Sequence, residues 1–424
     1  MHSLVAPRWA LALVAGLSGA AGGCVVVSTT RSASPGSDVD AGASLDAGGR
    51  AVGADATRRV LGALGSGVIL PAVRDFDAAA AALTSAVEAH AASRSDADLR
   101  AAQDAWVAAM ERWQGLEMMQ IGPAAMAGTA AAPGAVGGRD LRDQIDAWPL
   151  VNRCRIDQET VSRDFEDVDA FAAETVNVRG LGAMEYLLFA SNASNGCGAS
   201  AEINASGAWA ALGEDGVRTQ RARYALTLAR LVQRTAVTLR AAWEPSGEDW
   251  AGQLARAGEG ASAFSSAQEA LNAVSDALFY LDTEVKDMKV AGPAALGDAC
   301  AASSCPELLE SRWAGRSREH IAANLAAFER LFLGNAPGRD APGFDDLLVS
   351  VGAPDTASRM AEAIAAARRA AEALPRIDGS SLETHLAAFA ALYDLLRTVS
   401  ELMKTEVVTV LDLDLPESAA TDND

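Results

Sequence analysis

Ser95-Asp96-Ala-Asp-Leu-Arg-Ala-Ala-Gln-Asp-Ala-Trp-Val-Ala-Ala-Met-Glu-Arg-Trp113 reads as a capped amphipathic helix. Ser95-Asp96 supplies the N-terminal cap, and Leu99, Ala102, Trp106, Ala109, Met110 and Trp113 follow the i, i+3, i+4 pattern of one buried stripe. The same period recurs on both sides. Pro71 is placed to open a helix running to about Ala92, since proline is tolerated in a first turn. Further helices are expected at 158–173, 179–190, 215–243, 261–289, 316–333, 355–373 and 380–411. Extended β-branched runs are almost absent. Met126 to Gly138 is Ala/Gly/Pro-rich and reads as a loop, and a second break runs from Gly292 through Cys300 and Cys305 to Gly315. The expectation is an all-α chain of two packed helical bundles, at 55–247 and 248–424, divided near Pro245 to Gly258. Two halves that each carry long helices and one Gly/Pro-rich excursion would fit an ancient duplication, although no residue-level repeat shows one.

The first two dozen residues read as an export signal. His2 and Arg8 precede an apolar run, Trp9 to Leu17, that is too short to span a bilayer. Ala20-Ala21-Gly22-Gly23-Cys24 then resembles a lipobox, with Ala21 where leucine is usual. The expected processing is a signal peptide at 1–23, lipidated Cys24 and a flexible linker to residue 54; an ordinary signal peptide cut nearby is the alternative. The stretch from Ser28 to about Arg50 is Ser/Gly/Ala/Asp-rich, as a tether should be. Val25 follows Cys24 where aspartate would favour inner-membrane retention, so the expected address is the outer membrane, facing the periplasm.

Four further cysteines, Cys154, Cys197, Cys300 and Cys305, favour two disulfides in an exported chain. Three pairings are possible, and proximity favours Cys154–Cys197 with Cys300–Cys305. No cysteine spacing suits zinc. A net charge of −21 argues against nucleic acid and against anionic membrane surfaces, which leaves the lipid as the expected membrane contact.

Val178-Arg179-Gly180-Leu181-Gly182-Ala183-Met184-Glu185-Tyr186-Leu187-Leu188-Phe189 sets one carboxylate in an apolar helix. Leu181, Leu188 and Phe189 share its face, so Glu185 should point into packing and needs a cation, a hydrogen-bond donor or a raised pKa. It is the strongest candidate for a functional residue; a structural pair with Arg179 is the alternative. Other catalytic patterns are missing. Beyond the leader only His90, His320 and His385 remain, with no HExxH, no GxSxG and no glycine-rich phosphate loop. His320, between Arg316 and Arg318, reads as solvated or supporting. Asp412, Asp414, Glu417, Asp422 and Asp424 could bind a hard cation but read more simply as a frayed acidic end.

In this order the residues resemble the imelysin family of bacterial exported proteins. Ala105-Trp106, Arg112-Trp113 and Ile121-Gly122-Pro123 resemble its first conserved helix and exit; Trp148-Pro149-Leu150 with Ile156-Asp157 resembles its WPL segment. Asn177 to Phe189 resembles the signature region, normally GxHxxE, with Gly180 and Glu185 kept and Gly182 in place of the histidine. Glu310-Ser311, Arg316-Ser317 and Asn324-Leu325 to Gly334 resemble a matching second-half segment, and Leu411 to Asp424 resembles an aspartate-rich tail.

The resemblance implies two helical bundles with the signature helix near a cleft, and a family described both as peptidase-like and as iron-regulated. It implies a cleft lined by Glu185, Arg179, Gly180, Gly182, Trp106, Arg112, Trp148, Ser311, Arg316 and Ser317, with Glu185 the expected metal ligand. Glycine at 182 supplies neither ligand nor base, which weakens proteolysis. The expected function is an envelope lipoprotein that binds a ligand without catalysis and is linked to iron uptake. Iron or another divalent or trivalent cation is the expected cofactor, and an iron-transport component the expected partner. The rivals are a metal-dependent peptidase with a rearranged site, using His320 or His385, and a structural or interaction lipoprotein with a degenerate site.

Overall fold

A computed structural model describes residues 44–45, 51–129, 134–335, 340–377, 379–416 and 419. The expected leader, Cys24 and most of the linker lie outside these, as do Glu417, Asp422 and Asp424. Gly42–Asp424 forms one compact unit. It is all-α, apart from a two-residue antiparallel ladder between Ser44–Leu45 and Ala51–Val52. No helix of the described residues is long and apolar enough to cross a membrane.

The main helices are α1 Ala54–Leu64, α2 Leu70–Ser93, α3 Asp96–Glu117, α4 Gly180–Phe189, α5 Ala208–Trp243, α6 Ala267–Leu278, α7 Ser317–Leu333, α8 Pro354–Ala373 and α9 Leu386–Leu402. Helix α3 starts where its cap predicts, with the Ser95 side chain accepting from the Asp98 N–H. Trp106, Ala109, Met110 and Trp113 are all buried. Around it, α2 packs against both α3 and α5, and α4 lies on α5. Helix α7 packs against α3 on one side and α8 on the other, while α9 packs on α8 and on the segment Leu281–Ala291. The α3–α7 seam is where residues far apart in sequence meet.

Several boundaries differ from the sequence expectation, each for a local reason. Helix α2 carries Pro71 in its first turn, as expected, but it continues from α1 through a π-turn at Gly65–Ile69. The helix expected at 158–173 breaks at Arg163, whose φ of 67° is left-handed, giving Arg153–Ser162 and Val168–Phe171. The helix expected from 261 starts at Ala267, because Ser266 caps it by accepting from the Glu269 N–H. Its continuation, Leu281–Ala291, is π-helical. The last expected helix is likewise interrupted by a π-turn at Met403–Val407.

Both expected disulfides form, Cys154–Cys197 and Cys300–Cys305. Loop-closure entropy makes them unequal: Cys154→Ser with Cys197→Ser should destabilise the oxidised protein by about 4 kcal/mol, against about 2 kcal/mol for Cys300→Ser with Cys305→Ser. Urea unfolding of the two double variants checks the order, and equal losses would show that strain or residual structure dominates.

Candidate functional site

Helix α4 is entered through two glycines pressed against the segment before it. Gly180 has φ +81°, and a Cβ there would lie 2.7 Å from the Ile145 carbonyl. Gly182 is helical, but a Cβ would lie 2.9 Å from both Asp146 Oδ1 and Val151 Cγ2. Its N–H donates to Asp146 Oδ1 at 3.0 Å. Asp146 Oδ1 therefore takes up one of the free N–H groups of the first turn from outside the helix. Asp146 fills the space into which a side chain at 182 would grow.

One turn on, Glu185 is 1 % exposed. Its Oε1 accepts from the Ser311 hydroxyl (3.0 Å) and from the backbone N–H groups of Trp313 (3.0 Å) and Ala314 (2.8 Å). Arg179 is not its partner. That guanidinium lies at the helix entry, where burial lowers its pKa and Glu174 and Tyr224 are the charges it feels. Burial raises the Glu185 carboxyl to about 7, although the Ala314 N–H, the nearby His320 and the Ser311 hydroxyl all pull it down.

Behind Glu185 lies a buried polar cluster on the α3–α7 seam. Lys289, 2 % exposed, donates to Gln114 Oε1 (2.7 Å), Glu117 Oε2 (2.7 Å) and Asn324 Oδ1 (2.9 Å). It also pairs with Glu310 Oε1 at 3.0 Å. Glu117 accepts from Trp113 Nε1 (3.1 Å) and from the Tyr280 hydroxyl (2.9 Å). Glu310 accepts from Gln114 Nε2 at 2.8 Å and lies 3.0 Å from His320 Nδ1. Burial works against the charge on Glu310, but Lys289 and His320 outweigh it and hold the carboxyl at about 2. Burial, with the Glu117 and Glu310 charges, pushes Asp146 up to about 7.

Among the described residues, Glu117, Asp146 and Glu310 are the acids with oxygens close enough to share a cation, within 4.8 Å of one another; Glu185 is not one of them. As they stand, these residues do not fit a metal. Lys289 already occupies the position between Glu117 and Glu310, and Trp113 and Tyr280 take both Glu117 oxygens. Of the two oxygens without a hydrogen bond, Glu310 Oε2 faces His320 Nδ1 while Asp146 Oδ2 has no partner. Gly182 adds no imidazole.

The surface reaches this region through a pocket of about 110 Å³ lined by Trp148, Gly182, Glu185, Glu310, Arg312 and Trp313, among others. Of the residues expected in the cleft, Gly182, Glu185 and Trp148 line it, with the Trp148 ring centre 5.7 Å from Lys289 Nζ. Ser311 holds Glu185, and the Ser317 Oγ accepts from the Ser311 N–H at 3.3 Å. Trp106 is core, donating to the Leu181 carbonyl at 2.9 Å. Arg112 lines a different groove of about 400 Å³ between α2, α3 and α7. Arg316 pairs with Glu319 at 3.6 Å, away from the pocket. His320 is buried rather than solvated, since the turn of α7 carries it inward onto Glu310; it also acts electrostatically on Glu185. Glu117, Asp146 and Lys289 were not anticipated. Periodicity hints at Glu117 alone, four residues after Trp113 on the buried stripe of α3.

The imelysin family model matches residues 69–403. Among solved structures, an imelysin-like protein from Psychrobacter arcticum 273-4 superposes with a TM-score of 0.62 at 18% identity, covering 86% of this chain and 98% of its own. A protein from Parabacteroides distasonis ATCC 8503, described as a "putative iron-regulated protein A precursor", gives a TM-score of 0.59 at 17% identity, covering 83% of this chain and 96% of its own. No curated protein matches the chain.

Two measurements follow from the geometry. Lys289→Met strands two buried carboxylates and should cost about 3–5 kcal/mol in urea unfolding; a loss below about 1 kcal/mol would show that the acids are paired by something else. Glu185 and Asp146 keep protons in the folded state that the unfolded chain releases near 4.5 and 3.8, with both folded values at about 7. Their contribution to stability is therefore greatest below pH 4 and declines as pH rises towards 7. Glu185→Gln keeps an acceptor for the three donors and should flatten that decline, as read from unfolding midpoints between pH 4 and 8. An unchanged slope would mean that Glu185 is ionised throughout.

Proposed function

The chain belongs to the imelysin family, and from that premise we propose a non-enzymatic, ligand-binding envelope lipoprotein that serves iron uptake. It is anchored through Cys24 in the outer membrane and faces the periplasm. The observation that carries the reading is the pocket on α4, where Gly182 and Glu185 meet Trp148 and Trp313. Such a cleft, walled by aromatic rings with a few polar groups converging on it, is the usual form of a small-ligand site.

Two features favour binding over hydrolysis. Metal-assisted cleavage needs protein ligands with a position left open for water, and a base beside it. Here Gly182 stands where the family signature has its histidine, and Lys289 neutralises the acids that could have held a metal. Glu185 spends Oε1 on fixing the 311–314 turn. The link to iron draws on the description of the Parabacteroides protein as iron-regulated.

Deleting the gene in the source organism should lower uptake of radioactive iron under iron limitation. The wild-type chain should restore uptake, and Gly182→Leu, whose side chain would displace Asp146 and the pocket-lining Val151, should not. Circular dichroism would confirm that this variant folds. Normal uptake in the deletion strain would refute the iron role. Peptide cleavage by the purified protein that Glu185→Gln abolishes would refute the non-enzymatic reading.

A further inference from the structure

The mouth of the pocket carries two arginines that the preceding argument does not use. Arg153 opens the helix Arg153–Ser162, and Arg312 sits in the turn whose backbone holds Glu185. Both line the same 110 Å³ pocket and are partly buried. Among the described residues, neither forms an ion pair or donates a side-chain hydrogen bond, although most arginines of this acidic chain are paired. The Arg153 Nε is buried with no partner at all. What surrounds them is aromatic: the Arg312 guanidinium lies 4.4 Å from the centre of the Trp313 ring. Arg153 lies 5.6 Å from the same ring and 5.2 Å from that of Tyr186. Burial lowers the Arg312 pKa, and the second cause is the like charge of Arg153.

Two partly buried guanidiniums lining one pocket with no ion pair of their own are costly unless something negative is meant to bind there, since Asp157, Glu185 and Glu307 act on them only from beyond ion-pair distance. We propose that they form an anion site: the ligand of this pocket carries a small oxyanion, a carboxylate or a phosphate, held by Arg153 and Arg312 against the Trp313 ring. This rests on the reading of the pocket as a ligand site and names the ligand's chemistry. The fork of N–H groups on arginine matches the paired oxygens of either anion.

Both arginines are held on fixed supports. Arg153 precedes Cys154 of the Cys154–Cys197 disulfide, and Gly196 packs so close that a Cβ there would lie 2.8 Å from the Arg153 Cβ. Arg312 lies between Ser311 and Trp313, both tied to Glu185. Pre-set cations lose little entropy on binding. None of the nearby carboxylates ion-pairs with them: Glu310 is committed to Lys289 and His320, Glu185 to the turn, Asp157 to Tyr186, the Gly196 N–H and Arg221, and Glu307 is exposed. Asp157 acts on Arg153, and Glu185 and Glu307 on Arg312, only from beyond ion-pair distance.

The test is titration of the full chain by calorimetry and tryptophan fluorescence at constant ionic strength. Citrate and succinate form the carboxylate arm, inorganic phosphate and glycerol phosphate the phosphate arm, and chloride the control. One arm should bind saturably at one site. Arg153→Gln and Arg312→Gln should each weaken binding at least tenfold, while neither lowers the unfolding temperature of the ligand-free protein. No saturable binding by any probe, or unchanged affinity in both variants, would overturn the anion site. The outcome separates from that of the uptake assay. Uptake lost with Gly182→Leu but arginine variants of normal affinity would leave the pocket standing and remove the anion. Anion binding lost in the arginine variants beside normal uptake in the deletion strain would keep the anion site and remove the iron role.

Discussion

A single ammonium at Lys289 is the constraint around which the interior is arranged. An uncompensated charge at that depth would cost more than a small protein's whole stability, so its neighbours must be acids and acceptors in fixed positions. They come from three places in the sequence: Gln114 and Glu117 on α3, Glu310 before the 311–314 turn, and Asn324 on α7. Satisfying Lys289 thus fixes how α3 and α7 meet. A buried pair of this kind adds little net stability over an apolar core, but it permits few arrangements, and we read its value here as register. The π-helical segment Leu281–Ala291 repeats the device three residues earlier, where buried Lys286 lies 3.3 Å from Asp282 and 3.1 Å from Asp287.

Glu185 works at the next level outward. Three donors from one turn converge on a single oxygen, so the signature helix and the 311–314 turn move as one piece. The pocket lies over this joint, which means that its walls, Trp313 and Arg312, are positioned by the same contact that closes its floor. Gly182 has a matching role. Without a side chain there, the Asp146 carboxylate reaches the helix entry and caps it.

Legibility from sequence followed the physics of each feature. Helix α3 was readable because an apolar stripe and a cap both mark it. The π-turns were not, since one inserted residue barely disturbs a hydrophobic pattern. Glu185 stood out as a lone carboxylate among apolar residues. Lys289 did not, because Lys-Asp-Met-Lys between charged neighbours reads as a solvated face, and only a tertiary partner makes burial affordable. His320 was misjudged in the same way, from the arginines beside it rather than from the face of α7 that it shares with Asn324. Both disulfides were readable from spacing and number.

The anion site and the net charge of −21 pull in opposite directions. At long range the molecule repels anions, yet beyond about 10 Å at ordinary salt that repulsion is screened. Inside the pocket the balance is set by what lies within a few ångströms. There, Glu310 is neutralised by Lys289 and His320, and Glu185 and the exposed Glu307 offset Arg312 only in part, while two guanidiniums stand against aromatic faces in a partly desolvated recess. A Coulomb interaction in such a recess is several times stronger than in bulk water. The acidic exterior therefore acts as a filter. It slows anions that have only charge to offer, and it leaves retention to those whose shape brings two oxygens to Arg153 and Arg312 together with an apolar edge for Trp313.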